Sequence, residues 1–170
     1  MPDEYIEYML ANPPRAIASS ACPPHDALAE RALENYGAYS TTFGLRCSCG
    51  SSTWRVTLDR DEYDEAVAVA ASCSRCAKET VCFDIRHHGY NGEAGIVPAT
   101  EASVKSVVRE CASCSSQTST LALTFQYSGN DEELNDPAEV ARKQDFFSWF
   151  FAVCRCECGA IDEVASVECA

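Results

Sequence analysis

The sequence predicts a mainly β chain with short helices, an α+β class. An N-terminal helical segment over residues 1–38 precedes two tandem antiparallel β modules, residues 39–95 and 96–170. Three observations carry this expectation. Cysteines come in four close pairs, Cys47-Ser48-Cys49-Gly50, Cys73-Ser74-Arg75-Cys76, Cys111-Ala112-Ser113-Cys114 and Cys156-Glu157-Cys158-Gly159. Short runs of alternating apolar residues flank each pair, as half-buried strands do. Helical spacing is confined to the N-terminal segment and to a short stretch after residue 136.

The elements follow in order. Pro2 suits the first position of a helix, and Asp3 and Glu4 suit its positive end. Tyr5, Ile6, Met9 and Leu10 fall on one face, and Asn12-Pro13-Pro14 stops the helix. After a small-residue linker a second helix begins near Pro24. Leu28, Ala32, Leu33 and Tyr36 line its inner face, and Gly37 ends it. Strands are expected over residues 41–46 and 53–58, the latter with Trp54, Val56 and Leu58 on one face. Two more follow at 66–71 and 80–86, with Val81, Phe83 and Ile85 alternating inward. These make two hairpins with a cysteine pair at each turn.

The second module takes strands at 104–109, at 118–127 with Leu121, Leu123 and Phe125 inward, and at 162–168. A shift of 38 residues superposes the pair at Cys73 and Cys76 on that at Cys111 and Cys114, and reads as an internal repeat. Residues 130–136 form an acidic stretch, read as a solvated loop or a partner-binding surface carried by Asp131, Glu132, Glu133 and Asp136. A short helix runs from Pro137 to about residue 144. The aromatic run Phe146-Phe147-Ser148-Trp149-Phe150-Phe151 is expected to be the core strand leading into Cys156.

The cysteine spacing points to metal. Zinc takes four sulfurs in a tetrahedron, and two cysteines one or two residues apart across a tight turn face one point. Glycine after Cys49 and Cys158 suits such turns. Eight thiolates (Cys47, Cys49, Cys73, Cys76, Cys111, Cys114, Cys156 and Cys158) suffice for two structural zinc ions. Sequential pairing of the cysteine pairs closes shorter loops than nested pairing, and is expected on that ground. Cys154 offers a third thiol beside Cys156 and Cys158. Cys22, Cys82 and Cys169 look like small buried apolar residues. Twelve cysteines would also suit disulfides. However, Met1-Pro2-Asp3-Glu4 is acidic where a secretory signal is basic, and no apolar run follows. The expected location is the cytoplasm, where thiols stay reduced.

Residues 41–86 and 104–168 resemble the zinc-ribbon class at the level of knuckle and strand, and the resemblance implies structural metal. The chain departs from the usual ribbon in one respect: one knuckle of each site has a single residue between its cysteines.

Acidic residues number 26 against 13 lysines and arginines, a net charge of −13. Two filled tetrathiolate sites would add eight negative and four positive charges, giving about −17. Such a field repels nucleic acid and favours a basic protein partner, and direct nucleic-acid binding is not expected. No catalytic constellation accompanies the cysteines. His87-His88 sits at a strand end, and each site is closed by sulfur without it. No apolar stretch reaches the roughly 20 residues of a membrane helix. The expected function is non-enzymatic: a zinc-stabilised acidic protein-interaction module, in its concrete form an inhibitor or immunity protein that masks a basic toxin or nuclease. Two alternatives are a zinc-ribbon accessory factor of transcription, translation or RNA processing, and a thiol redox or metal-handling protein.

Overall fold

The structure, a computed structural model, describes residues 2–25, 39–89, 104–127 and 140–169. The helix expected from Pro24 and the acidic residues Asp131, Glu132, Glu133 and Asp136 fall outside the described residues, apart from Pro24 and His25. Mainly β architecture is what the chain adopts, with one short α-helix among the described residues.

That helix, α1 (Pro2–Ala11), ends where the sequence requires. The backbone N–H of Asn12 and its side-chain amide both donate to the Tyr8 carbonyl, at 3.0 and 2.8 Å. The two prolines that follow cannot continue the helix. Met9 is buried in the core. The Thr41 hydroxyl donates to the Leu10 carbonyl, and the Arg15 backbone N–H and Nε both donate to the Asp145 carboxylate at 2.7 and 2.8 Å. These bonds tie the N-terminal segment to the sheet and to a 3-10 turn, Lys143–Asp145.

Nine strands follow among the described residues: β1 (Ala21–Cys22), β2 (Ser40–Leu45), β3 (Trp54–Arg60), β4 (Ala66–Cys73), β5 (Glu79–Asp84), β6 (Lys105–Val108), β7 (Thr118–Gln126), β8 (Trp149–Arg155) and β9 (Ile161–Glu168). All pairings are antiparallel. One path runs β1-β2-β7-β3-β4-β5; β6 joins β3, and β8 joins β7 and carries β9.

The register reveals a duplication. Val56↔Ala71 and Leu58↔Val69 between β3 and β4 recur as Leu121↔Cys154 and Leu123↔Ala152 between β7 and β8. A bulge between Val69 and Ala70 in the β4–β5 pair recurs between Ala152 and Val153 in the β8–β9 pair. Past that bulge, Ala70↔Val81 and Ala71↔Thr80 recur as Val153↔Glu163 and Cys154↔Asp162. Thus β3-β4-β5 and β7-β8-β9 are two copies of one unit. The 38-residue shift is corrected accordingly: it superposes the second cysteine turn of one unit on the first turn of the other, which share the two-residue turn but not the hairpin, because β4 pairs with β5 whereas β6 pairs with β3.

The strands that lead into the two units are exchanged. β2 does not form a hairpin with β3, as the sequence had suggested; it pairs along β7, Thr41↔Phe125 through Gly44↔Ala122. Reciprocally, β6 pairs along β3, Thr57↔Val108 through Arg60↔Lys105. The two central strands meet where they begin, at Trp54↔Ser119. The chain therefore loops out between β2 and β3, and again between β6 and β7, while the other unit's central strand runs past. Those loops are the first cysteine turns of each unit.

One apolar core lies between the two units. Trp54, Val56, Val69 and Phe83 face it from one side, and Leu123, Phe125 and Phe150 from the other, each fully buried. Phe83 stacks on Phe150 with ring centres 4.5 Å apart, and Phe125 meets Phe147 edge-on at 4.9 Å. The Trp54 indole donates to the Leu45 carbonyl at 3.1 Å, so its one polar atom is satisfied. The aromatic run is core only in part: Phe147 and Phe150 join the core, while Phe146, Trp149 and Phe151 are half-buried, and the strand begins at Trp149, after Phe146 and Phe147.

Val81 departs from the expected alternation: it is 52% exposed, while Thr80, Cys82 and Phe83 are buried. The bulge opposite Ala70 inserts a residue into the ladder and reverses the side-chain parity of the first half of β5. Gly89 closes the strand end with φ +84, and a Cβ built there would lie 2.7 Å from Cys169 Cβ and 2.8 Å from its Sγ. Gly89→Ala is therefore expected to destabilise the fold by about 3 kcal/mol, from left-handed strain plus overpacking. Urea denaturation checks this, and a loss below about 1 kcal/mol would mean that the Cys169 contact is not held in solution.

Candidate metal centres

Each of the four cysteine turns is set by backbone hydrogen bonds that repeat between units. In the one-residue turns, the N–H of Cys47 donates to Ser51 O and that of Gly50 to Cys47 O, both at 2.8 Å. Cys156 N–H to Ala160 O and Gly159 N–H to Cys156 O match them at 2.9 Å. Gly50 and Gly159 take φ of +89 and +90, a backbone that an L side chain resists. In the two-residue turns, Cys73 N–H donates to Lys78 O and Ala77 N–H to Cys73 O; Cys111 with Ser116 and Ser115 repeats the pattern. Here the left-handed position falls on Ala77 (φ 61) and Ser115 (φ 60). Non-glycine residues in that conformation cost about 1–2 kcal/mol each, and both copies keep the strain.

These turns bring the cysteines together in sequential pairing. Cys47, Cys49, Cys73 and Cys76 form one group, and Cys111, Cys114, Cys156 and Cys158 the other, with all sulfurs of a group within 4.8 Å of one another. Cys47 and Cys76 stand 3.5 Å apart, as do Cys49 and Cys73. Cys111–Cys158 and Cys114–Cys156 stand at 3.6 and 3.4 Å. A disulfide needs about 2.05 Å. Tetrahedral ligands at about 2.3 Å from a central ion would sit about 3.8 Å apart, close to what is found. Every described cysteine is free of disulfides.

The electrostatics of the two groups agree with the geometry. Backbone amides point at the inner sulfurs. The Cys49 amide, with help from neighbouring thiols, lowers the Cys47 thiol, and the Cys158 amide lowers that of Cys156. Burial pushes Cys73 up, but the amides of Cys76 and Arg75 outweigh it and bring the thiol down to about 6. The Ser113 amide, then that of Cys114, brings Cys111 to about 6 against its burial. Their partners move the other way. The Lys78 amide favours the Cys76 thiolate, yet the sulfurs around it push the thiol up to about 11. Cys114, with the Ser116 amide opposing, rises to about 12 for the same reason. Four thiols so close cannot all ionise unless a cation offsets their charge. A divalent ion supplies that charge, and two such groups can hold two ions.

The remaining candidates fall elsewhere. Cys154 is buried in the core and belongs to neither group, so the third thiol of its run is not a ligand. Cys82 and Cys169 are also buried, and Cys22 is half-buried. Burial pushes Cys82 far up, and pushes Cys169 up to about 12. His88 Nδ1 accepts the Asp84 backbone N–H at 3.0 Å, a strand-end contact that lies apart from both sulfur groups. One buried polar cluster had no sequence signal beyond a lone arginine two residues before Cys111. The Arg109 guanidinium donates through Nη2 to Asp162 Oδ2 at 2.6 Å. Among the described residues no helix is long and apolar enough to cross a membrane. Searches against protein-family models, curated proteins and solved structures returned no match.

Proposed function

We propose that each cysteine group holds one structural zinc ion in a zinc-ribbon-like site. In this reading the braced fold is a non-enzymatic, cytoplasmic interaction module that neutralises a basic protein, as an inhibitor or immunity protein does. The carrying observation for the metal is the pair of closed, all-sulfur groups. Four protein sulfurs fill a tetrahedron and leave no position for water or substrate, which is the ligand set of a brace. The zinc supplies cross-links between loops from distant parts of the chain. The protein's own contribution is the amide and glycine geometry that presents the sulfurs.

Support for a basic partner comes from the net charge of −13 and from one surface turn. Asp61-Glu62-Tyr63-Asp64-Glu65 joins β3 to β4, and the Asp61 carboxylate accepts the N–H groups of Tyr63 and Glu65 at 2.9 and 3.0 Å. Tyr63 stands 78% exposed among these acids. An amphipathic ring ringed by negative charge is suited to a cationic surface with an apolar patch. The acidic residues Asp131, Glu132, Glu133 and Asp136 are proposed to extend this field.

The test is affinity capture from the native host in chelator-free buffer, with mass spectrometry of the retained proteins. A single basic partner is expected. It should be released by raising salt and held at least about tenfold more weakly by Tyr63→Ala. Retention of ribosomal or polymerase subunits would replace this reading with the accessory-factor one, and tight binding of nucleic acid at physiological salt would overturn it.

A further inference from the structure

The two units share strand register and cysteine turns, so their differences at equivalent surface positions stand out. One residue before its first cysteine, the first unit has Arg46 and the second Glu110. Arg55 on β3 corresponds to Thr120 on β7, each one residue before the equivalent Val56 and Leu121. Inside the second cysteine turn stand Arg75 in one unit and Glu157 in the other. The carbonyl that accepts the first N–H of that turn belongs to Lys78 and to Ala160. At these four positions the first centre carries four cations, and the second carries two acids. The neighbouring cross-strand pairs, Ser72↔Glu79 and Arg155↔Ile161, add an acid to the first and a cation to the second, leaving +3 against −1.

The four cations surround one set of turns. Arg55 lies between Ser72 on β4, next to Cys73, and Thr118 on β7. Arg75 reaches across the group, its Nη1 donating to the Cys49 carbonyl at 3.3 Å. Arg46 adjoins Cys47, and Lys78 closes the turn that begins at Cys73. All four are exposed, and among the described residues none of them forms an ion pair. Elsewhere Arg15, Arg60, Arg86 and Arg109 each pair with an aspartate. Like charges gathered without acids repel one another and cost stability. The second unit reaches the same register without them, so the fold does not require them there.

We propose that the turns of the first cysteine group form a docking surface for an acidic segment of a partner protein, so that the chain carries two recognition faces of opposite sign. Three of the four cations are arginines, whose planar forks match carboxylates in bidentate geometry. Ser48, Ser52 and Ser74 place small exposed side chains among them, which lets a partner's chain come close. Nucleic acid fits this surface less well. It carries a charge at every phosphate, and most of its length would meet the field of a −13 chain, whereas a short acidic segment places its charge on the cations alone. Single strands also need exposed rings on which bases stack. The exposed tyrosines Tyr8, Tyr39 and Tyr63 lie on α1, just before β2 and in the β3–β4 turn, and not in the cysteine turns. This face is additional to the acidic one proposed for a basic partner, and its binding does not depend on that partner.

The experiment titrates the whole zinc-loaded chain into fluorescein-labelled decaglutamate and reads anisotropy. Saturable binding is expected at low salt, and raising salt from about 50 to about 200 mM should weaken it at least about tenfold. Arg46→Glu combined with Arg55→Thr and Lys78→Ala, the second unit's own residues, should weaken it at least about tenfold at low salt while metal content stays native. Arg46→Lys with Arg55→Lys, which keeps the charges, should stay within about threefold of the native chain. Lys105→Ala, which removes an exposed cation from β6, should stay within about twofold. Absence of saturable binding by the native chain would overturn the proposal, whatever the variants do. So would a folded triple variant that holds the peptide as tightly as the native chain. An oligothymidine strand bound at least about tenfold more tightly than the peptide, and lost with the same three residues, would overturn the acidic-protein assignment in favour of nucleic acid.

Discussion

Replacing Cys49 or Cys76 by serine is expected to abolish metal binding at the first cysteine group and to lower stability across the whole chain. The ligand turns of the first group connect β2 to β3 and β4 to β5, and β2 is an integral strand beside β7 of the other unit. Loosening the first turn therefore frees an edge of both units. Structural zinc contributes roughly 10–16 kcal/mol of apparent binding energy, and a domain is stable by only about 5–15. A loss of at least about 4 kcal/mol is expected, enough to unfold much of the population at 37 °C. The measurement is metal content by mass spectrometry alongside thermal unfolding. Metal should fall from two ions to one per chain. Cys22→Ser is the control, since Cys22 lies outside both groups, and it should keep both ions. A Cys76→Ser protein that retains two ions and its native melting temperature would show that these sulfurs are not ligands.

Phe150→Ala is the second large effect. Phe150 is fully buried, stacked on Phe83, and 5.6 and 6.4 Å from the rings of Phe125 and Phe147. It joins β8 of one unit to β5 of the other, so the cavity opens where the units pack. The expected cost is about 3–5 kcal/mol. Phe151 points to the opposite face, half-buried and stacked on Trp149 at 5.9 Å. Its replacement by alanine should cost about 1–2 kcal/mol. Chemical denaturation of the two variants side by side checks the difference, and equal losses would mean that the facing of β8 is wrong.

The cysteine groups were legible because their chemistry is local. Spacing sets which sulfurs share a turn, and loop closure favours joining neighbouring turns, so both the eight members and their sequential grouping could be read from sequence. Leu121, Leu123 and Phe125 alternate inward as their pattern requires. What escaped depends on long-range partners. Nothing in residues 40–45 says that they pair with β7 rather than β3, because an alternating strand carries no address. Val81 was misplaced because a bulge is a property of the pair and leaves no mark on either strand alone. Arg109 could not be singled out, since its burial against Asp162, 53 residues away, is visible only once the strands are paired.

The exchange of β2 and β6 also bears on how the chain acquires its shape as it is made. Thr41 waits for Phe125, and Gly44 for Ala122, before β2 has any strand to pair with along its length. At synthesis rates of about 5–20 residues per second, that interval is several seconds, during which one edge of the nascent first unit stays open. Such non-local pairing slows folding, because chain entropy is lost before the contacts that repay it can form. An ion captured early by the first four sulfurs would hold β3, β4 and β5 in register through that interval. The second unit's central strand then arrives as a template for the waiting β2, and donates β6 in return. The finished molecule is in this sense an intramolecular domain swap, in which neither half has a complete sheet until both have emerged.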